Sequence, residues 1–167
     1  MTAPLTPETI QQDIQNRLPG TAVTVEGSTL IVPADQLVKV CRFLKESEPY
    51  RLDYLSNLCG VDYLGDQPHL ETVYHLYSME KKHGPVALKV RVPRDNSHQP
   101  SVVSVWRGAE YQERESFDLY GIVYDGHPDL RRILMWDGFD GHPMRKDYVQ
   151  EDQDVIEQPP AARVPQP

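Results

Sequence analysis

Residues 86–93, VALKVRVP, set Val86, Leu88, Val90 and Val92 on one side of an extended chain and Ala87, Lys89 and Arg91 on the other. Such alternation fits a β-strand with one buried face and does not fit a helix. The same period runs through residues 70–78, LETVYHLYS, where Tyr74 and Leu76 fall opposite Val73, His75 and Tyr77. Between these two runs MEKKHGP (79–85) is a charged hairpin loop. Upstream, RLDYLSNLCGVDYL (51–64) reads as a third strand or as a helix-to-strand transition.

Working outward, the period lengthens to that of a helix. Ile10, Ile14 and Leu18 recur at four-residue spacing, with Thr6 as N-cap, Pro7 at the first helical position and Gly20 as the stop. AVTVEGSTLIVP (22–33) holds two short β-branched runs around Gly27, which predicts a hairpin with Gly27 at positive φ. Leu37, Val40, Cys41 and Leu44 then predict a helix over residues 34–46. RDNSHQPS (94–101) is a turn-rich break. Val102–Trp106 is either a short helix capped by Ser101 or a strand, and the helix is preferred. Residues 108–120 predict a firmer helix, closed by a left-handed Gly121.

This order predicts an α/β (α+β) fold: a two-layer domain with helices packed on a mixed, largely antiparallel sheet. The domain is expected to cover residues 1–121, ending in the charged helix, with residues 122–167 as an extended C-terminal segment. The last stretch, VQEDQDVIEQPPAARVPQP (149–167), is acidic and proline-rich and is expected to be extended or disordered unless a partner covers it. Neither GxGxxG nor GxxxxGK[ST] occurs.

A chain of 167 residues can carry one ordinary core. Its net charge of −8 offers no basic field for nucleic acid or anionic lipid. No apolar run approaches the roughly 20 residues of a membrane span, and MTAPLTPETI lacks a basic start and an apolar core. A location in the cytoplasm, or on the cytoplasmic face of a membrane without direct anchoring, is expected. Cys41 and Cys59, the two cysteines, are read as reduced buried thiols, since two thiols cannot supply a four-cysteine cluster.

The densest chemistry lies in YQERESFDLYGIVYDGHPDLRRILM (111–135). On the predicted helix Ala109, Glu113, Phe117 and Tyr120 share a face, which places a carboxylate among apolar neighbours, where it needs a basic partner or a proton. Arg114 is expected to meet Glu110 and Asp118 along the helix, and Arg131 and Arg132 are the long-range partners for the remaining carboxylates. Glu113 and Glu115 point to different sides, so the pair cannot converge on one substrate atom. A buried ion-pair network that fixes the helix and docks a neighbour is the preferred reading. His127 and His142 sit in repeated Gly-His-Pro triplets, best read as rigid turns, because no zinc spacing such as HExxH is present. No GxSxG elbow occurs either. A self-standing enzyme using Glu113, His127 and Arg131, and a free-standing binding module, are the competing classes.

Gln112-Glu113-Arg114-Glu115, Phe117-Asp118-Leu119-Tyr120-Gly121-Ile122 and His127-Pro128-Asp129-Leu130-Arg131-Arg132-Ile133-Leu134 closely resemble the signature of the thirty-kilodalton subunit of respiratory complex I, the proton-pumping NADH:quinone oxidoreductase. Gly141-His142-Pro143-Met144-Arg145-Lys146-Asp147-Tyr148 resembles a second block of that family, with Val149 standing where proline is common. The resemblance implies a non-catalytic structural subunit of the peripheral arm, holding no cofactor itself. FMN, iron-sulfur clusters, NADH and quinone would belong to the rest of the complex. It further implies docking on the large quinone-site subunit and other hydrophilic-arm subunits. Glu113, Arg114, Glu115 and Asp118 would form an ionic network with Gly121, His127, Pro128 and His142 shaping the turns. Arg131, Arg132, Arg145 and Asp147 would anchor the extended segment on its partner. The same blocks resemble relatives in ferredoxin-dependent quinone oxidoreductases of plastid or cyanobacterial type and in membrane-bound hydrogenases, so the electron donor stays open.

Overall fold

Helix α1 (Pro7–Arg17) starts at Thr6, whose hydroxyl accepts the Thr9 N–H at 3.4 Å, with Pro7 inside the first turn. Ile10 and Ile14 are buried on its inner face. Gly20, at φ 82°, turns the chain toward a hairpin of β1 (Thr24–Glu26) and β2 (Thr29–Ile31), with Gly27 at φ 59° between them. A 3-10 turn at Ala34–Gln36 leads into α2 (Leu37–Glu46), which buries Leu37, Val40, Cys41 and Leu44. The structure, a computed structural model, describes residues 5–149, so the expected acidic tail beyond Val149 lies outside the described residues.

Strands β3 (Tyr54–Tyr63), β4 (His69–Ser78) and β5 (His83–Pro93) follow as antiparallel neighbours, and β2 adds to β5 in parallel. The sheet order is β1-β2-β5-β4-β3, a mixed and mostly antiparallel sheet as expected. Residues 54–63 are strand throughout, with a register shift between Leu55 and Asn57. Leu30, Leu88, Tyr74 and Leu58 stand side by side across four strands and are all buried, which makes them the spine of the core. Val73, His75, Tyr77 and Lys89, on the other face, are only partly buried.

Helix α3 (Ala109–Tyr120) lies on β3. The approach is close at Gly60, where a Cβ would stand 2.6 Å from the Tyr120 ring and 2.8 Å from Ser116 Oγ. Any larger residue there would push α3 off the sheet.

Three features depart from the sequence expectation. Residues 98–100, inside the supposed turn-rich break, form strand β6 (His98–Pro100), which pairs in parallel with β7 (Val123–Asp125). Val102–Trp106 is a turn, neither helix nor strand. The N–H groups of Val105 and Trp106 both donate to the Val102 carbonyl at 2.9 Å, and Trp106 Nε1 donates to the Leu52 carbonyl at 2.9 Å. Its apolar residues are there to fill the core: Val102, Val105 and Trp106 are all buried. Third, Ile122 and Tyr124 join the main core, so the packed body continues past Gly121. From residue 126 to 149 there is neither helix nor strand. No helix among the described residues is long and apolar enough to cross a membrane.

Candidate functional site

Along α3 the residues Glu113, Arg114, Ser116 and Asp118 are buried, and their polar groups face two different environments. Glu113 points into the domain. Its Oε2 accepts the Ser101 hydroxyl at 2.6 Å and its Oε1 accepts the Val102 N–H at 2.7 Å, which ties α3 to the turn that follows β6. Among the described residues no lysine or arginine pairs with Glu113. The nearest basic group, His127 Nε2, stands 4.0 Å away and is committed elsewhere. It donates to the Glu110 carbonyl at 2.9 Å, while His127 Nδ1 accepts the Asp129 N–H, an arrangement that places the ring proton on Nε2. Burial therefore pushes the Glu113 carboxyl up to about 7, against the lowering pull of the Ser101 hydroxyl and the Val102 N–H.

Arg114 and Asp118, one turn apart, face outward onto residues 131–135. Arg114 Nε and Nη2 donate to the carbonyls of Arg131 and Arg132, each at 3.1 Å. Asp118 Oδ2 accepts the N–H groups of Ile133, Leu134 and Met135 at 2.9, 2.7 and 2.8 Å, and its Oδ1 accepts Arg132 Nη1 at 2.6 Å. A cation thus satisfies two peptide carbonyls and an anion three peptide N–H groups of one irregular strand of chain. Arg114 does not pair with Glu110 or Asp118, as its spacing had suggested, because the carbonyls of 131 and 132 claim its guanidinium. It also lies over the Tyr111 ring, 5.9 Å from the centroid. Burial pushes Asp118 up. The N–H of Met135, the Arg132 guanidinium and the N–H groups of Leu134 and Ile133 outweigh that and hold it below the usual aspartate range.

The C-terminal end of α3 is closed by the same segment. The last carbonyls of a helix have no partner within it. Here the Phe117 carbonyl accepts the Gly121 N–H, Asp118 O accepts His142 Nδ1–H at 2.9 Å and Arg132 Nη1 at 3.2 Å, Leu119 O accepts the Met144 N–H, and Tyr120 O accepts Arg145 Nε at 2.6 Å. Cationic groups also suit the negative end of the helix dipole. Gly121 has φ 73°, and a Cβ on it would fall 2.5 Å from the His142 ring, so both the backbone and the space require glycine. Burial and the nearby Arg145 and Arg132 keep His142 below the usual histidine range, against the pull of the Asp118 carbonyl.

A last anchor was not legible in the sequence. Buried Asp62 on β3 accepts Arg94 at Oδ1 and the Lys146 N–H at Oδ2, 2.7 Å, while Arg94 also pairs with Asp147. Gln112 was missed as well: its Oε1 accepts the Leu58 N–H of β3. Both contacts join residues far apart in sequence, and no local pattern marks them.

Of the residues expected to act together, Glu113, Arg114, Asp118, Gly121, His127, Arg132, His142, Arg145 and Asp147 do converge on α3 and its flanking segment. Glu115 is exposed and makes no hydrogen bond or ion pair among the described residues. Pro128 is exposed too, and Arg131 is 68% exposed and, among the described residues, pairs only with Asp129 at 2.9 Å. Arg132, Arg145 and Asp147 are engaged by this chain itself. These contacts hold the segment in shape. Among the described residues no three His, Cys, Asp or Glu side chains are placed to hold a metal ion.

The family described as respiratory-chain NADH dehydrogenase, 30 Kd subunit, matches residues 30–154. The C 2 subunit of NADH-quinone oxidoreductase from Rhizobium meliloti is 52% identical over 117 residues, 70% of this chain and 63% of that protein. The C subunit of NADH-quinone oxidoreductase from Roseiflexus castenholzii is 50% identical over 116 residues, 70% of this chain and 66% of that protein. The chain spans a little under two thirds of the length of these relatives. Among solved structures, a chain of the membrane-bound sulfane sulfur reductase, an archaeal respiratory membrane complex, shares the fold with a TM-score of 0.69, covering 93% of this chain and 96% of that one at 23% identity. The matched residues include all of α3 and the segment it grips, and the chain belongs to the family of the 30 kDa subunit of respiratory-chain NADH dehydrogenase.

Proposed function

We propose that this chain is a non-catalytic structural subunit of the peripheral arm of proton-translocating NADH:quinone oxidoreductase. It sits on the cytoplasmic face of the membrane and docks on the large quinone-site subunit and other subunits of that arm. FMN, iron-sulfur clusters, NADH and quinone are handled by those other subunits, and this chain supports electron transfer by fixing their geometry. One observation carries the reading: Arg114 and Asp118 of the dense charged stretch are spent on peptide groups of residues 131–135, and Arg145 on the end of α3, which is the work of a scaffold. The site residues are then positioning residues for an assembly surface.

The test is recovery of a tagged copy from gently solubilised membranes. Co-recovery of iron-sulfur, quinone-site and flavin subunits is expected. Recovery of all but the flavin subunit would move the chain to a ferredoxin-dependent oxidoreductase or a membrane-bound hydrogenase, and recovery of the chain alone would overturn the reading. Asp118→Ala should lower NADH:quinone activity of membranes in step with the amount of assembled complex. A fall in turnover per assembled complex would instead give this chain a part in the chemistry.

A further inference from the structure

Residues 126–149 form no helix or strand, yet their backbone is held at Asp118, Leu119 and Asp62, and the Arg145 side chain at the Tyr120 carbonyl. Ordering such a stretch costs on the order of 1–2 kcal/mol per residue in conformational entropy, and apolar burial normally offsets it. Here the large apolar side chains are not buried: Leu134 is 57% exposed, Trp136 47% and Met144 53%. Their backbone is fixed all the same, because the Leu134 and Met144 N–H groups are bonded to Asp118 Oδ2 and the Leu119 carbonyl, on either side of Trp136. Trp136 meets the Phe139 ring edge-on at 4.8 Å, and Phe139 packs under the Arg132 guanidinium at 5.6 Å. Arg132 and Arg145 thus turn inward to this chain, while Leu134, Trp136 and Met144 face out. Asp137 and Asp140, which follow Trp136 and Phe139 respectively, are exposed and form no hydrogen bond or ion pair among the described residues.

We propose that Leu134, Trp136 and Met144 are the side chains that enter the partner, and that the partner is a protein surface with an apolar groove rimmed by lysine or arginine. This rests on the structural-subunit reading above and says which atoms of the chain do the docking. Pre-ordering the segment removes much of the entropy cost of binding, and a tryptophan held on a fixed backbone is the residue type that dominates such contacts. The free carboxylates of Asp137 and Asp140 choose among occupants. They and the net charge of −8 oppose an anionic lipid surface and a second copy of this chain, and they favour a basic rim.

The experiment places a benzophenone photo-crosslinker at Leu134 in the tagged full chain, and in parallel carries Leu134→Ser with Trp136→Ser, Asp137→Lys with Asp140→Lys, and Met79→Ser. Met79 is 66% exposed on the β4–β5 hairpin and is the control. Crosslinks from membranes should go to another subunit of the complex. The two double variants should each lower co-recovery of partner subunits at least tenfold, Met79→Ser should leave it unchanged, and the thermal midpoint of the free chain should hold in all of them. Wild-type co-recovery in the Leu134/Trp136 variant, or crosslinks to lipid or to a second copy, would overturn the proposal while leaving the structural-subunit reading intact. Unchanged co-recovery in the Asp137/Asp140 variant would overturn the basic rim. Recovery of the wild-type chain alone would overturn both readings.

Discussion

Glu113 and Asp118 are carboxylates on the same helix, both fully buried, and they end in opposite electrostatic states. Glu113, facing the turn at 101–106, has one hydroxyl and one peptide N–H for partners and no cation, so burial wins and its proton is held to about pH 7. Asp118, facing the 131–135 segment, has three peptide N–H groups and a guanidinium, and these outweigh burial. Depth alone does not decide the charge of a buried acid. The number and kind of donors converging on it do. The inner contact makes the domain cohere, and the outer one gives an irregular segment a fixed shape.

The sharpest way to break this contrast is Asp118→Ala, which would leave three peptide N–H groups and the Arg132 guanidinium without their acceptor. A loss of about 3–5 kcal/mol is expected in urea unfolding, with new protease cleavage confined to residues 131–148. Cleavage spread evenly over the domain would show that Asp118 supports the core and not the segment.

Glu113 is tested through pH. Its folded-state pKa is raised, so the folded protein binds the proton more tightly than the unfolded chain. The stabilisation is complete below the ordinary glutamate value of 4.5 and is lost as pH rises through about 7. Stability from this group should fall between those limits by no more than about 3 kcal/mol. Glu113→Gln keeps an acceptor for the Val102 N–H and should flatten that part of the profile. An unchanged slope in the variant would assign the pH dependence to another group.

Gly121→Ala meets both the positive φ and the His142 ring, and a loss of about 1–3 kcal/mol is expected in thermal unfolding. Restoration by a second change, His142→Ala, would separate the crowding from the backbone strain. At the bottom of the scale Glu115→Gln should change stability by less than about 0.5 kcal/mol, since the side chain is exposed and unbonded among the described residues. A larger effect on co-recovery than on stability would move Glu115 back to the docking face.

What was legible in the sequence was local. The caps of α1, Gly27 in the first hairpin, the alternation in β4 and β5 and the left-handed Gly121 each depend on residues within a few positions of one another. The β6–β7 pair was not legible, because His98–Pro100 carries turn-forming residues and finds its partner 25 positions later. The buried state of Glu113 could be read from helical spacing, but its partners could not. Ser101 and Val102 come from a turn that neither a helical nor a strand period describes. Helical spacing offers Arg114 the carboxylates of its own helix, yet its guanidinium serves peptide carbonyls across a gap, while Arg132 meets the Asp118 carboxylate. Sequence spacing shows which side chains can meet within one element and says nothing about the competing groups another element brings.

The holds on the segment also differ in how much chain they close. Asp118 and the N–H groups of residues 133–135 are separated by 15–17 positions, whereas Asp62 and Lys146 are separated by 84. The far end is tied by single peptide N–H groups, Met144 to the Leu119 carbonyl and Lys146 to Asp62, whereas three N–H groups share Asp118 at the near end. The segment should therefore open from its far end, like a zip with its slider near Lys146. In hydrogen exchange the Lys146 amide should be released well before those of Ile133, Leu134 and Met135. Simultaneous release would mean that the segment opens as a single unit.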